Sequence, residues 1–111
     1  MNKHKLIKIF ASNLANALIH QILERAIDKS EIAESYKKEV KNSWEIAKKY
    51  REKINPVDGN LPDEDSKEIK REIANKIKAE LKLRIKRGYE NIDLSLVEES
   101  VEKALKEMGI K

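Results

Sequence analysis

Histidine and cysteine, the side chains most often used for metal binding and nucleophilic or acid–base chemistry, are scarce in this sequence. It has two histidines and no cysteine. The one set with metal-ligand spacing is His20, Glu24 and Asp28, which would lie on successive turns of one helix. Side chains four residues apart can share a metal ion. One histidine and two carboxylates on a polar strip are more often solvated, so we expect neither a metal site nor a cofactor.

A second acidic pattern, Glu31-x-x-Glu34, resembles half of the magnesium-binding motif of helical nucleotide pyrophosphohydrolases. Those enzymes need a second acidic pair at matching spacing on another helix. Here Glu98 and Glu99 are adjacent, and the one further pair of this form, Glu99-x-x-Glu102, has Lys103 and Lys106 one helical turn after its two carboxylates, the pattern of surface ion pairs. A glycine-rich phosphate loop and a supported Ser/His/Asp arrangement are also missing. We therefore expect no enzyme activity and no small-molecule substrate.

Cations are concentrated in residues 67–87, where nine basic residues stand against three acidic ones. Lys78, Lys82 and Lys86 follow one another at i+4 spacing, and Arg71 extends the row upstream. Like charges one turn apart repel each other, but such a row can bind a phosphate backbone and release its counterions. These four residues are the predicted nucleic-acid-binding site. The alternatives are a solvated face matched by Glu from a neighbouring helix, an acidic protein partner, or lipid head groups.

The basic segment, Gly88 and the segment that follows have the order of a helix-turn-helix motif, whose second helix reads the major groove. Residues 93–108 carry five acidic residues and two lysines, so electrostatics oppose that docking. If nucleic acid binds, the basic helix is the better candidate, through phosphates and without base readout.

Apolar residues recur at helical spacing along most of the chain, and one segment with two prolines and a glycine, 55–65, interrupts them. We therefore predict an all-α fold, a four-helix bundle-like single domain in which neighbouring helices are antiparallel. The segment from Asp28 to Ser30, between the first two helices, has no glycine or proline. An alternative is therefore one continuous helix through both segments. Such a helix would favour a domain-swapped dimer.

The predicted helices cover about residues 5–28, 31–54, 63–87 and 93–108. Gly88 and Gly109 are predicted to end the third and fourth helices, with Ile110 placed for an apolar contact, and Asp93 can cap the fourth. The predicted buried stripe of the third helix is Ile69, Ile73, Ile77, Leu81 and Ile85.

The first predicted helix is apolar around most of its circumference, and only one narrow polar strip remains. A helix of that kind needs cover on more than one side. It is therefore either the central helix of the fold or half of a subunit interface, and we expect a homo-oligomer. The predicted interface residues are Phe10, Leu14, Leu18 and Ile22.

Length and composition bound the remaining alternatives. The chain of 111 residues allows one domain, and no stretch approaches the roughly 20 apolar residues needed to span a bilayer. Lys8 interrupts the apolar run after Lys5, so we expect an amphipathic helix rather than a signal peptide, and a cytoplasmic protein. The excess of Lys, Glu and Ile is typical of thermophiles, although eight asparagines favour an AT-rich genome instead.

The function predicted from these observations is that of a non-enzymatic helical interaction protein that associates with itself. The alternative is a sequence-nonspecific nucleic-acid-binding protein that uses the basic helix 67–87. Tyr36, Trp44 and Tyr50 could stack on bases. They lie on or beside a heptad-like seam of the second helix, so we expect them in the core or an interface instead.

Overall fold

A computed structural model of the chain confirms the predicted all-α, four-helix fold. The structure describes residues 2–26, 30–54 and 61–110. The four helices of these residues share one apolar core. Their bounds are α1, Lys3–Ala26; α2, Ser30–Ile54; α3, Asp63–Lys86; and α4, Leu96–Glu107.

The first two helices form an antiparallel pair. Asn16 Nδ2 donates a hydrogen bond of 2.8 Å to Ser43 Oγ, and Lys37 Nζ lies 3.9 Å from Glu24 Oε1. A later residue of α1 therefore meets an earlier residue of α2, which requires the chain to reverse between Ala26 and Ser30. The alternative of one continuous helix is wrong, although Asp28 itself lies outside the described residues.

The direction of the chain alternates through the whole bundle. Lys76 of α3 donates to the hydroxyl of Ser12, and His4 lies 3.7 Å from Glu68, so α3 runs parallel to α1. Along α4 the order of partners is reversed, because Lys70 pairs with Glu102 whereas Lys78 pairs with Glu98. Helices that follow one another in sequence are thus antiparallel, as predicted, and α1 packs against all three others.

The central position of α1 explains its broad apolar surface and corrects the predicted oligomer interface. Phe10 and Leu14 are 0% exposed, and Leu18 and Ile22 are 3% exposed. Helices α2, α3 and α4 of the same chain cover these side chains, so none of the four offers surface to a second copy. The breadth of the apolar face required several neighbours, and the chain provides them itself.

One expectation about α1 needs a second correction. Its 24 residues include an 18-residue window of mean hydropathy 1.3, so the helix is long and apolar enough to cross a membrane by length and composition. The sequence reasoning had found no such stretch. A central core helix satisfies the same test, and 56% of that window is buried within the fold.

Glycine ends both α3 and α4, as predicted. Gly88 has φ +100° and Gly109 has φ +72°, conformations that residues with a Cβ rarely adopt. Each is followed by the six-to-one hydrogen bond of a Schellman motif, from Tyr89 N–H to Arg84 O at 3.0 Å and from Ile110 N–H to Leu105 O at 2.8 Å. Ile110 is buried and supplies the predicted apolar contact.

The beginnings of the helices follow capping chemistry less closely. Asp93 does not cap α4, because its Oδ1 accepts hydrogen bonds from Ser95 N–H at 2.9 Å and from Ser95 Oγ at 2.6 Å, in a turn before the helix. These bonds hold the pKa of the Asp93 carboxyl below its usual range. Asn2 caps α1 instead, accepting from Lys5 N–H at 2.9 Å. Helix α3 begins just after Pro62, with three acidic residues in its first turn.

Candidate nucleic-acid interface

Three of the four predicted phosphate-binding side chains lie on the outer surface of α3. Arg71, Lys82 and Lys86 are exposed, and within the described part of the chain no carboxylate lies within 4.0 Å of any of them. We call these three residues the basic face. From Arg71 to Lys86 there are fifteen residue steps along one helix, about 22 Å at a rise of 1.5 Å per residue. The basic face is therefore a row of free cations on a rigid support.

The fourth predicted residue, Lys78, is not free. Its Nζ lies 2.7 Å from Oε1 of Glu98 on α4, so it belongs to a charge match between helices rather than to the basic face. The reason is geometric, since each step of four residues turns the row by about 40° around the helix. Over the two steps from Lys78 to Lys86 the direction changes by about 80°, which carries the row from the edge beside α4 to the outer side.

A second ion pair continues this acidic edge. Lys70 Nζ donates to Oε1 of Glu102 at 2.7 Å. The hydrogen bond and charge of each partner raise the pKa of Lys70 and lower that of Glu102. Both pairs are largely exposed, and exposed ion pairs contribute little to stability. The carboxylates of α4 thus lie along one edge of the basic face, but they do not fix Lys70 and Lys78 in one conformation.

Two other cations of α3 have partners as well, whereas Lys67, near the start of the helix, is exposed and has no carboxylate of the described residues within 4.0 Å. Lys76 bonds to Ser12, and Arg84 Nε lies 3.4 Å from Glu80 Oε1. The guanidinium carbon of Arg84 also lies 5.4 Å from the centre of the Tyr89 ring, a cation–π distance. The first turn of α3 is acidic, with Asp65 paired to Lys3 at 2.5 Å. The free positive charge is therefore concentrated in the C-terminal two thirds of α3.

The aromatic side chains lie elsewhere. Phe10 is in the core, and Tyr36, Trp44 and Tyr50 of α2 are half-buried against it. The ring of Tyr36 lies 5.5 Å from that of His20. Burial raises the pKa of Tyr36, and its hydrogen bond with Tyr89 adds to that shift. Helix α3 itself contains no aromatic residue, and the nearest one in sequence is Tyr89, which is 37% exposed just beyond its end.

The acidic sets with metal-ligand spacing are not brought together. His20 Nδ1 lies 2.8 Å from the carbonyl of Asn16, one turn earlier, so that nitrogen is already used. Glu24 lies beside Lys37, and Asp28 lies outside the described residues. In the described segments no three His, Asp or Glu side chains are grouped as metal ligands. Glu34 of the pyrophosphohydrolase-like pair lies 3.4 Å from Lys37.

Sequence reasoning missed the most deeply buried charged residue, Arg51 on α2, which is 1% exposed. Its Nε donates to the carbonyl of Met108 at 2.8 Å, and Nη2 donates to that of Gly109 at 3.3 Å. These carbonyls end α4, where a cation is favoured by the helix dipole. Burial lowers the pKa of Arg51. The available signal was its position four residues after the buried Ala47, although arginine there is ordinarily exposed.

A groove separates α2 from α4 upstream of Arg51. It has a volume of about 300 Å³, with Leu18 of α1, Trp44 of α2 and Ala104 of α4 among its apolar lining residues. Arg25, Glu99 and Lys103 alternate in sign around it. The groove therefore offers apolar contact without a consistent electrostatic preference.

The basic face can attract and hold an anion, but it contains no nucleophile and no acid–base pair. Free cations in a fixed row bind phosphates by replacing counterions, which requires no chemistry on the ligand. Such contacts position a nucleic acid without reading its sequence. Comparisons of the chain with models of protein families, with curated proteins and with solved structures give no match.

Proposed function

We propose that this protein is a small, non-enzymatic interaction protein whose partner is nucleic acid, bound through the phosphate backbone on the basic face of α3. The observation that carries the proposal is the set of three exposed cations, Arg71, Lys82 and Lys86, that no carboxylate of the described residues neutralises. Each of the three can replace one counterion on a phosphate backbone.

The rigidity of the support favours this function over a merely solvated surface. The inner side of α3 is held by Ile73, Ile77 and Leu81, all 0% exposed. The cations on the outer side therefore keep a fixed spacing without a ligand, and binding needs little additional ordering of the backbone. A solvated face would have no need for like charges at neighbouring turns, which repel one another.

Sequence preference should be weak. Base readout depends on side chains that form paired hydrogen bonds with base edges, such as Asn with adenine or Arg with guanine. Asn75 is the only amide on α3, and the remaining exposed residues around it are charged or apolar. The proposed contacts are therefore made to phosphates, and their strength should be similar on unrelated sequences.

The test compares a variant of the basic face with a matched variant of another helix. Arg71→Gln/Lys82→Gln/Lys86→Gln removes three charges from α3, whereas Lys41→Gln/Lys48→Gln/Lys49→Gln removes three exposed charges from α2. Fluorescence anisotropy with labelled mixed-sequence DNA and RNA at about 50 mM salt gives the affinity of each protein. We expect the α3 variant to lose most of the binding and the α2 variant to keep most of it.

Equal losses in the two variants would show a general effect of net charge and would refute a site on α3. Absence of wild-type binding to DNA and RNA at this salt concentration would refute the proposed function altogether. Circular dichroism of each variant confirms that its helices are intact, because all six substituted side chains are exposed.

A further inference from the structure

We propose that the ligand of the basic face is duplex rather than single-stranded nucleic acid. This inference rests on the proposed function and adds the form of the nucleic acid. It follows from where the aromatic residues are and from the rigid support of the row of cations.

Proteins that bind single strands without sequence preference combine a basic groove with aromatic side chains on which successive bases stack. The basic face lacks the second component, because no aromatic residue occurs between Asp63 and Lys86. Trp44 and Tyr50 are on α2, where they pack against the core. A single strand on α3 would gain phosphate contacts but no stacking.

Tyr89 is the aromatic residue nearest to the basic face in sequence, but it is already held. Arg84 Nη1 donates to its hydroxyl at 3.4 Å, and the same guanidinium lies over the ring. The Tyr89 side chain is nevertheless 37% exposed. A base could therefore meet this one ring at the end of α3, but no aromatic residue lies along the rest of the basic face.

A duplex matches the basic face in rigidity and in the fixed positions of its charges. Its phosphates lie at fixed positions, at one negative charge per roughly 1.7 Å of axis, so a rigid row of cations meets a rigid array of anions. The length from Arg71 to Lys86, about 22 Å, corresponds to roughly six base pairs at 3.4 Å per base pair. A flexible single strand would have to be ordered along the same row, which opposes binding.

The acidic neighbours limit the footprint to this length. The first turn of α3 contains Asp63, Glu64 and Asp65, and Glu98 and Glu102 line the edge beside α4. A phosphate backbone that extended past Arg71 or across α4 would meet carboxylates. The inferred ligand is therefore a short stretch of duplex contacted from one side.

The experiment measures the affinity of the full chain for a 20-base-pair DNA duplex of mixed sequence and for one of its strands, chosen without self-complementarity. Three phosphate contacts correspond to salt slopes of about −2.7 on the duplex and about −2.1 on the strand. If the two affinities converge near 1 M salt, the duplex should bind about sixfold more tightly at 50 mM. Lys82→Gln/Lys86→Gln leaves one contact and should reduce this preference to about twofold, whereas Lys41→Gln/Lys48→Gln should retain it.

The emission of Trp44, the single tryptophan of the chain, provides a second readout. We expect it to be unchanged on duplex binding, since Trp44 is on α2 and away from the basic face. Equal or tighter binding of the single strand would overturn the duplex inference and leave the proposed function standing. Quenching of Trp44 by either ligand would place the binding away from α3 and overturn both. If neither ligand binds at 50 mM salt, the proposed function fails and the inference fails with it.

Discussion

Two kinds of cationic residue have opposite roles in this protein, and burial separates them. Arg51 is enclosed between α2 and the end of α4, where its donors satisfy carbonyl groups. Arg71, Lys82 and Lys86 are exposed, and no carboxylate of the described residues neutralises them. The first should matter for stability alone, and the other three for binding alone.

Replacing Arg51 with Met tests the first of these roles. The substitution keeps an apolar side chain of similar length but leaves the carbonyls of Met108 and Gly109 without their donor. The bond to the Met108 carbonyl is buried, and a buried polar group left unsatisfied costs about 1–3 kcal/mol, so we expect the free energy of unfolding to fall by about that amount. Urea unfolding followed by circular dichroism measures it. Lys48→Met is the control, and a similar small change in both proteins would contradict the proposed role.

Helix α3 shows how one element can provide both core and surface. Ile69, Ile73, Ile77 and Leu81 are 0% exposed, but Ile85, the next residue at the same spacing, is 40% exposed and not in the core as predicted. Four steps of four residues turn the apolar stripe by about 160° around the helix. Ile85, in the last turn of α3, therefore points away from the neighbouring helices. The row of lysines at the same spacing shifts around the helix in the same way.

At the scale of elements, α4 should weaken polyanion binding because Glu98 competes for Lys78. Replacing Glu98 with Gln should free this lysine as a further phosphate contact and steepen the log–log salt slope for duplex DNA by about 0.9. The fold should stay intact, since an exposed ion pair contributes about 0–1 kcal/mol. Glu99→Gln makes the same change in net charge without an ion pair to α3. Equal effects of the two substitutions would show that the pair with Lys78 is irrelevant.

The whole molecule is organised around α1, which the other three helices enclose. Polar contacts accompany the apolar ones, because the strip that contains Asn16 and His20 faces Ser43 and Tyr36 of α2 rather than water. The prediction of a homo-oligomer depended on apolar surface that this enclosure removes. We therefore expect a single chain of 12.9 kDa in solution.

Leu18→Glu distinguishes a core position from an interface position. Leu18 is 3% exposed within the chain, so a carboxylate there must be buried without a partner or expel the neighbouring helices. We expect loss of cooperative unfolding and of most helical circular dichroism. Light scattering of the wild type completes the test. A wild-type dimer, together with a folded monomeric Leu18→Glu protein, would restore the interface explanation.

Local signals predicted much of the fold, and the parts that failed depended on tertiary geometry. Gly88 and Gly109 could be recognised because only glycine readily takes the left-handed conformation at a helix end. The choice between core and interface for α1 was open, because it depends on where three other helices pack. In the candidate site, the cations were visible in the sequence, but the pairing of Lys78 required the register of α4 against α3. The only local signal for Arg51 was its position one turn after Ala47, since its acceptors are 57 and 58 residues away.

The most direct test of the central claim is the salt dependence of duplex DNA binding by the wild-type protein. Three free cations predict a slope of log affinity against log salt near −2.7, which corresponds to about 40-fold weaker binding at 200 mM than at 50 mM salt. Lys82→Gln/Lys86→Gln should reduce the slope by about 1.8. A wild-type slope near zero, or a slope that the two substitutions leave unchanged, would contradict phosphate binding on the basic face.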